Sequence, residues 1–151
     1  MNSLLAKETF DIFHLEEAVI GTANTITIDG RINKEFFDAE ERENLAEFRP
    51  WSEVRPLCFD LIKGKRTPLF FRFVLHLNET QKQALLTKEN SEASPEQVKA
   101  LALNIRYDGT KATITTGTSF HSFVLSKSAD EIWDKAMQRF LTKNEIAYEL
   151  V

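Results

Sequence analysis

Three histidines, one cysteine and a short run of lysines and arginines are the side chains in this sequence best suited to chemistry. His14, His76 and His121 all fall on segments that read as strands. Three imidazoles converging from neighbouring strands would make a zinc-type site. The spacing argues otherwise, because no HxH, HExxH or HxxxH pair occurs and the gaps are 62 and 45 residues. His121 shares its expected strand face with Phe123 and Leu125, which favours a hydrogen-bonded histidine at the edge of the core. No metal site is expected.

Cys58 would serve as a nucleophile if a histidine and an acid oriented a base beside it. Its sequence neighbours are Val54, Leu57, Leu61 and Ile62 at helical spacing, so it belongs to an apolar stripe. A thiol in such surroundings keeps a raised pKa and stays inert. Glu16-Glu17, Asp38 with Glu40-Glu41, and Asp130-Glu131 offer paired carboxylates, and solvated charge explains each of them. GxGxxG and GxxxxGK[ST] phosphate loops are absent. No catalytic residue and no cofactor is expected.

The basic segment Lys63-Gly64-Lys65-Arg66-Thr67-Pro68, with Arg72 beyond it, is the nearest thing to a binding motif. Residues 55–72 carry five basic groups (Arg55, Lys63, Lys65, Arg66, Arg72) against Asp60, a balance of +4. Residues 1–54 stand at −7 and residues 73–151 at −1, giving the net charge of −4. Bases at a helix C-terminus answer the negative end of its dipole, which is reason enough for some of them. With Phe70 and Phe71 adjacent, the segment also has the composition of a small anion or nucleic-acid patch. Lys63, Lys65, Arg66 and Arg72 are the candidate ligand-binding residues. Arg72 is expected to reach solvent or an acid such as Glu47. A pI near 5.5 weighs against nucleic acid, whose binding domains usually run basic.

These side chains need elements to hold them. Phe10 to Ile20 and the β-branched Thr25 to Ile32 read as strands, with Asp29-Gly30 as a turn signal. Asp38 to Phe48 is compatible with a short acidic helix. A better helix spans 52–63: Ser52 is placed to cap it, Val54, Leu57, Cys58, Leu61 and Ile62 form its stripe, and Gly64 is placed to end it. Leu69 to Leu77 alternates, with Leu69, Phe71, Phe73, Leu75 and Leu77 on one face. Asn78 with Gln81 caps a short helix, and Ser94-Pro95-Glu96-Gln97 predicts a second. Leu101 to Tyr107, Lys111 to Thr116 and Phe120 to Leu125 read as strands, the first two joined at Asp108-Gly109. The last helix covers 129–143, with Ser128 and Glu131 as a capping box and Ala129, Ile132, Trp133, Ala136, Met137, Phe140 and Leu141 as its stripe.

Hairpin connections rather than crossovers make this an α+β chain with a largely antiparallel sheet packed by the 52–63 and 129–143 helices. The 151 residues, 42% hydrophobic and 28% charged, suit one globular domain that exposes roughly 7,800 Å². Twelve phenylalanines imply a large aromatic core or an exposed aromatic face. A single cysteine excludes an intrachain disulfide. No membrane-spanning run and no signal-peptide pattern occurs, so the expected location is the cytoplasm.

Thr27-Ile28-Asp29-Gly30, Arg55-Pro56-Leu57-Cys58-Phe59-Asp60-Leu61-Ile62-Lys63-Gly64-Lys65-Arg66-Thr67-Pro68, Asn104-Ile105-Arg106-Tyr107 and Thr116-Gly117-Thr118-Ser119 together resemble an uncharacterised bacterial family, a domain of unknown function. The resemblance spans nearly the whole chain and implies one intact domain over 1–151. It also implies a short lead-in before Met1, with Leu4 and Leu5 as the tail of a shortened helix. It brings no activity, cofactor or catalytic residue.

The function expected from these residues is a non-enzymatic binding or protein-interaction module, acting on a protein partner or small ligand. The alternative is a small enzyme or binder that takes an anionic ligand through residues 63–72. Arg55, Lys63, Lys65, Arg66 or Arg72 would then be its clamp, with His76 or His121 as acid/base. A deep pocket holding a histidine and two bases favours the enzyme. A flat or grooved apolar patch favours the binder.

Overall fold

The computed structural model describes residues 1–151. Six strands form one antiparallel sheet: β1 (Phe13–Gly21), β2 (Thr25–Asp29), β3 (Arg49–Pro50), β4 (Phe70–Leu77), β5 (Val98–Tyr107) and β6 (Ala112–Phe120). The long strands lie in the order β2-β1-β4-β5-β6, and the two-residue β3 pairs with β1. Five helices accompany them: α1 (Asn2–Leu5), α2 (Ala39–Arg42), α3 (Trp51–Ile62), α4 (Glu79–Lys88) and α5 (Ser128–Lys143). This is the α+β architecture that the hairpin signals predicted.

Helices α3 and α5 cover one face of the sheet. Their buried residues are Trp51, Val54, Cys58 and Ile62 on α3, and Ala129, Trp133, Met137 and Leu141 on α5. All but Leu141 meet Phe71, Phe73, Leu75 and Leu77 of β4 and Leu101, Leu103 and Ile105 of β5 in one core of 25 buried residues. Aromatic rings tie its layers together: Trp51 meets Phe73 edge-on at 5.2 Å and Phe13 lies 6.2 Å from Trp133. The opposite face, with Val19, Arg72, Val74, Asn104, Arg106, Thr113 and Thr115, has no helix on it and none of these residues is buried.

Several local expectations are corrected. Helix α3 begins at Trp51, not after a Ser52 cap, because Pro50 is already extended by pairing with His14. Pro56 sits inside the helix. Leu57 leaves the stripe and is 52% exposed, and Leu69, just before β4, is 68% exposed. Lys63 ends the helix in an extended conformation, and Gly64 follows with φ +145°. Ser94 to Gln97 makes a single turn, not a helix, closed by Gln97 N donating to the Ser94 carbonyl.

The largest departure lies after β5. One continuous strand, β6, replaces the two expected around Gly117, since pairing to β5 runs unbroken from Ala112 to Ser119. Residues 121–127 are then irregular, and His121 is exposed with Phe123 and Leu125 rather than set at the core edge. The Ser128 hydroxyl does not cap α5. It accepts the Glu92 N–H from the loop after α4, while Thr116 and Thr118 of β6 donate to Asp134 and Asp130 of the helix.

Candidate functional site

The basic segment does not close into one site. Lys63, at the end of α3, pairs with Asp60 at 2.9 Å and lies over the Phe59 ring. Lys65 and Arg66 are exposed on the loop to β4 and make no ion pair. Arg72 is on the helix-free face of the sheet, where its partner is Glu17 and not Glu47. Glu47 is taken by Arg31 at 2.8 Å. Arg55 points the other way and grips Asp11 with two hydrogen bonds, Nε to Oδ1 at 3.0 Å and Nη2 to Oδ2 at 3.1 Å.

The histidines divide as two and one. His14 and His76 are register partners on β1 and β4. His76 Nε2 lies 3.2 Å from Glu16 Oε2, and the Phe48 ring stands edge-on to it at 4.9 Å. Phe48, itself buried, closes this pair off from solvent on one side. Burial and the neighbouring His76 push the His14 pKa down, opposed by a hydrogen bond to the Phe48 backbone and by the Glu53 charge. No set of three His, Cys, Asp or Glu side chains comes together to hold a metal. Cys58 is fully buried, and burial pushes its thiol up to about 12.

An open concavity lies elsewhere. A groove of about 440 Å³ runs between residues 28–37 and the first half of α3. Its apolar wall is Ile28, Ile32, Phe36, Phe37, Val54 and Leu57. Phe36 is 79% exposed, stacked edge-on against Phe37 at 5.5 Å. The groove's two guanidinium groups are already engaged, Arg31 by Glu47 and Arg49 by Glu53. No histidine lines it. A smaller depression of about 150 Å³ beside α5 is polar, with Ile132 its one hydrophobic residue.

The groove stands on a device that sequence reading took for a turn. The β1 ladder has a bulge between Leu15 and Glu17. Gly30 lies directly on it: its N–H donates to the Glu16 carbonyl at 2.8 Å, and its own carbonyl accepts from Arg49 N at 2.8 Å. A Cβ at this position would stand 1.8 Å from the Leu15 carbonyl oxygen. Gly30 thus joins β1, β2 and β3, and the chain leaving it forms one bank of the groove. The Asp-Gly pair was visible in sequence, but the bulge that requires the glycine was not.

The model of a family of unknown function, DUF5721, matches residues 3–149. The chain belongs to that family. A whole-chain match to a family of unknown function is what the resemblance implied. No curated protein and no solved structure matches it. In this member of the family the four segments have separate structural places. The first ends on the β1 bulge, the second is α3 with the basic loop, the third puts Asn104 and Arg106 on the helix-free face, and the fourth faces α5. No helix is long and apolar enough to cross a membrane.

Proposed function

We propose that this protein is a non-enzymatic interaction module that docks an apolar peptide segment carrying lysine or arginine in the groove between residues 28–37 and α3. The observation that carries this is the exposed aromatic bank, Phe36 with Phe37, facing Leu57 across a concavity that holds no histidine. Apolar surface of this kind is retained at a cost in solubility and marks contact sites. Both groove arginines are neutralised internally, and residues 34–43 beside the groove carry Glu35, Asp38, Glu40, Glu41 and Glu43 against Lys34 and Arg42, a balance of −3. A basic segment with an apolar anchor complements it.

Two further facts support the reading. The chain exposes 9870 Å², about a quarter more than the roughly 7,800 Å² expected for its mass. The candidate acid/base groups of the enzyme alternative are also dispersed: His76 is shut behind Phe48, His121 is exposed near α4, and Arg55 is held by Asp11. The single buried free thiol fits a reducing compartment, and we place the module in the cytoplasm on that ground.

The test is affinity capture from the native host with the wild-type chain and with Phe36→Asp/Leu57→Asp, followed by mass spectrometry. Both residues are exposed, so the double variant is expected to fold. A partner retained by the wild type and lost by this variant, and carrying a basic apolar segment, supports the groove. A partner retained equally by both overturns it.

A further inference from the structure

A second surface, independent of the groove, lies at the opposite end of the sheet. The end of β1, the start of β4, the end of β5 and the start of β6 meet there. Antiparallel register sets Arg106 of β5 directly beside Arg72 on the helix-free face. The 108–111 turn, which carries Lys111, packs on the end of the basic loop, since a Cβ on Gly109 would lie 3.0 Å from the Leu69 carbonyl oxygen. Leu69 N in turn donates to the Gly21 carbonyl at 2.8 Å, fixing the loop to β1. Five cations therefore gather at this end: Lys65, Arg66, Arg72, Arg106 and Lys111. Of the two acids among them, Glu17 is bound to Arg72, and the Asp108 carboxylate accepts the backbone N–H groups of Thr110 and Lys111. Lys65, Arg66 and Arg106 have no carboxylate partner and Lys111 has only the nearby Asp108 charge, so five cations outnumber two acids and the patch is positive within an acidic protein.

An aromatic ring lies in the middle of it. Phe70 is on the same face as Arg72, two residues earlier on β4, and pairs with Gly21 of β1. Its ring lies flat over that glycine, where a Cβ would stand 2.2 Å from the ring edge. One side of the ring is packed on backbone, and the residue remains 37% exposed. A ring held this way offers its other side as a stacking platform. Beyond Arg72 the face continues through Val74 and Asn104.

From this geometry we infer that the Phe70 face binds single-stranded nucleic acid, its phosphates held by Lys65, Arg66, Arg106 and Lys111 and a base stacked on Phe70. Single-strand binders combine a cationic track with aromatic rings in this way, and base stacking tolerates any sequence. Two of the four residues that the basic segment suggested, Lys65 and Arg66, contribute directly, and Arg72 holds the centre of the face against Glu17. Lys63 is spent on Asp60 and lies outside the track. Arg106 and Lys111 are distant in sequence and enter only through register.

Fluorescence anisotropy with labelled 20-mers of oligo-dT and oligo-rU tests this at ~50 and ~200 mM salt, with heparin and anionic phospholipid vesicles as comparison ligands. Binding of an oligonucleotide at low salt that weakens at least about tenfold at the higher salt is expected. The relative affinities for the two oligomers tell DNA from RNA. Arg66→Glu/Arg106→Glu should abolish binding. Phe70→Ala should cost the oligonucleotide about tenfold while leaving heparin unaffected, because only bases stack. Lys65→Glu/Arg66→Glu, confined to an exposed loop, guards against misfolding of the strand variants and should also weaken binding at least about tenfold. No oligonucleotide binding at low salt overturns the proposal. So does equal loss of heparin and oligonucleotide on Phe70→Ala, or preferred binding to vesicles.

Discussion

His14 and His76 face each other across the β1–β4 ladder, with the Phe48 ring packed edge-on against the second. Burial is the main reason that the His14 pKa falls below its usual 6.5, and the neighbouring imidazole adds to it. Between that lowered value and 6.5 the unfolded chain binds more protons at this position than the folded one. Stability must then rise with pH through the window, and its full value is present above 6.5. We expect the urea midpoint to fall as the pH drops from about 7.5 to 5.5, a range chosen to stay above most carboxylate titration. His14→Asn should flatten that dependence. An unchanged slope in the variant assigns the effect elsewhere.

Gly30 owes its place to closeness rather than to a left-handed backbone. With the Leu15 carbonyl oxygen where a Cβ would be, Gly30→Ala must either separate β2 from the β1 bulge or unseat β3. Neither is a small adjustment, and a loss above about 3 kcal/mol is expected. Gly109→Ala is the comparison. Its φ of +96° and a 3.0 Å approach predict a loss of only about 1–2 kcal/mol. Equilibrium urea unfolding of both variants gives the order, and a Gly30→Ala cost no greater than that of Gly109→Ala would refute the close-packing account.

Periodicity made the two covering helices and β4 legible, because burial on one face of an amphipathic element leaves a direct trace in the order of residue types. Val54, Cys58 and Ile62, or Phe71, Phe73 and Leu75, need no partner to be recognised. What sequence order conceals is anything set by register. The pairs His14–His76 and Arg72–Arg106 and the bulge under Gly30 depend on which strands lie together and at what offset. The candidate sites suffered accordingly. Lys63, Lys65, Arg66 and Arg72 are neighbours in sequence, yet Lys63 is turned to Asp60 on α3 while Arg72 meets Glu17 on β4. The 121–127 segment misleads for the opposite reason: alternating His121, Phe123 and Leu125 imitate a strand, but β5 begins at Val98, and beyond the His121 N–H bond to the Gln97 carbonyl no strand lies alongside.

Cys58 gives a test of core packing free of mutation. At pH 8 a thiol raised from 9.0 to about 12 is ionised on the order of a thousandfold less than in the unfolded chain. Full burial adds a steric barrier. Labelling by a maleimide or a disulfide reagent should therefore follow global unfolding and accelerate with urea. Rapid stoichiometric labelling of the native protein would show that the α3 face is not packed as described.

Arg55 and Asp11 supply the last test, and it separates a structural arginine from a substrate clamp. Their side chains are 16% and 22% exposed, and two parallel hydrogen bonds join them in the geometry a guanidinium and a carboxylate favour. The pair ties α3 to the segment before β1. Arg31 and Glu47, 60% and 52% exposed, are the internal reference for a solvated pair. Surface pairs contribute about 0–1 kcal/mol, whereas removing one partner of a buried pair costs about 3–5 kcal/mol. A half-buried bidentate pair should lie between, so Arg55→Met and Asp11→Asn should each lose about 1–3 kcal/mol. A double-mutant cycle by urea unfolding should give a coupling of about 1–2 kcal/mol, against less than about 0.5 kcal/mol for Arg31–Glu47. Arg55→Lys should recover little, because a lysine cannot span both oxygens. If the two couplings are equal, Arg55 is free in solution and returns as a candidate for binding an anion.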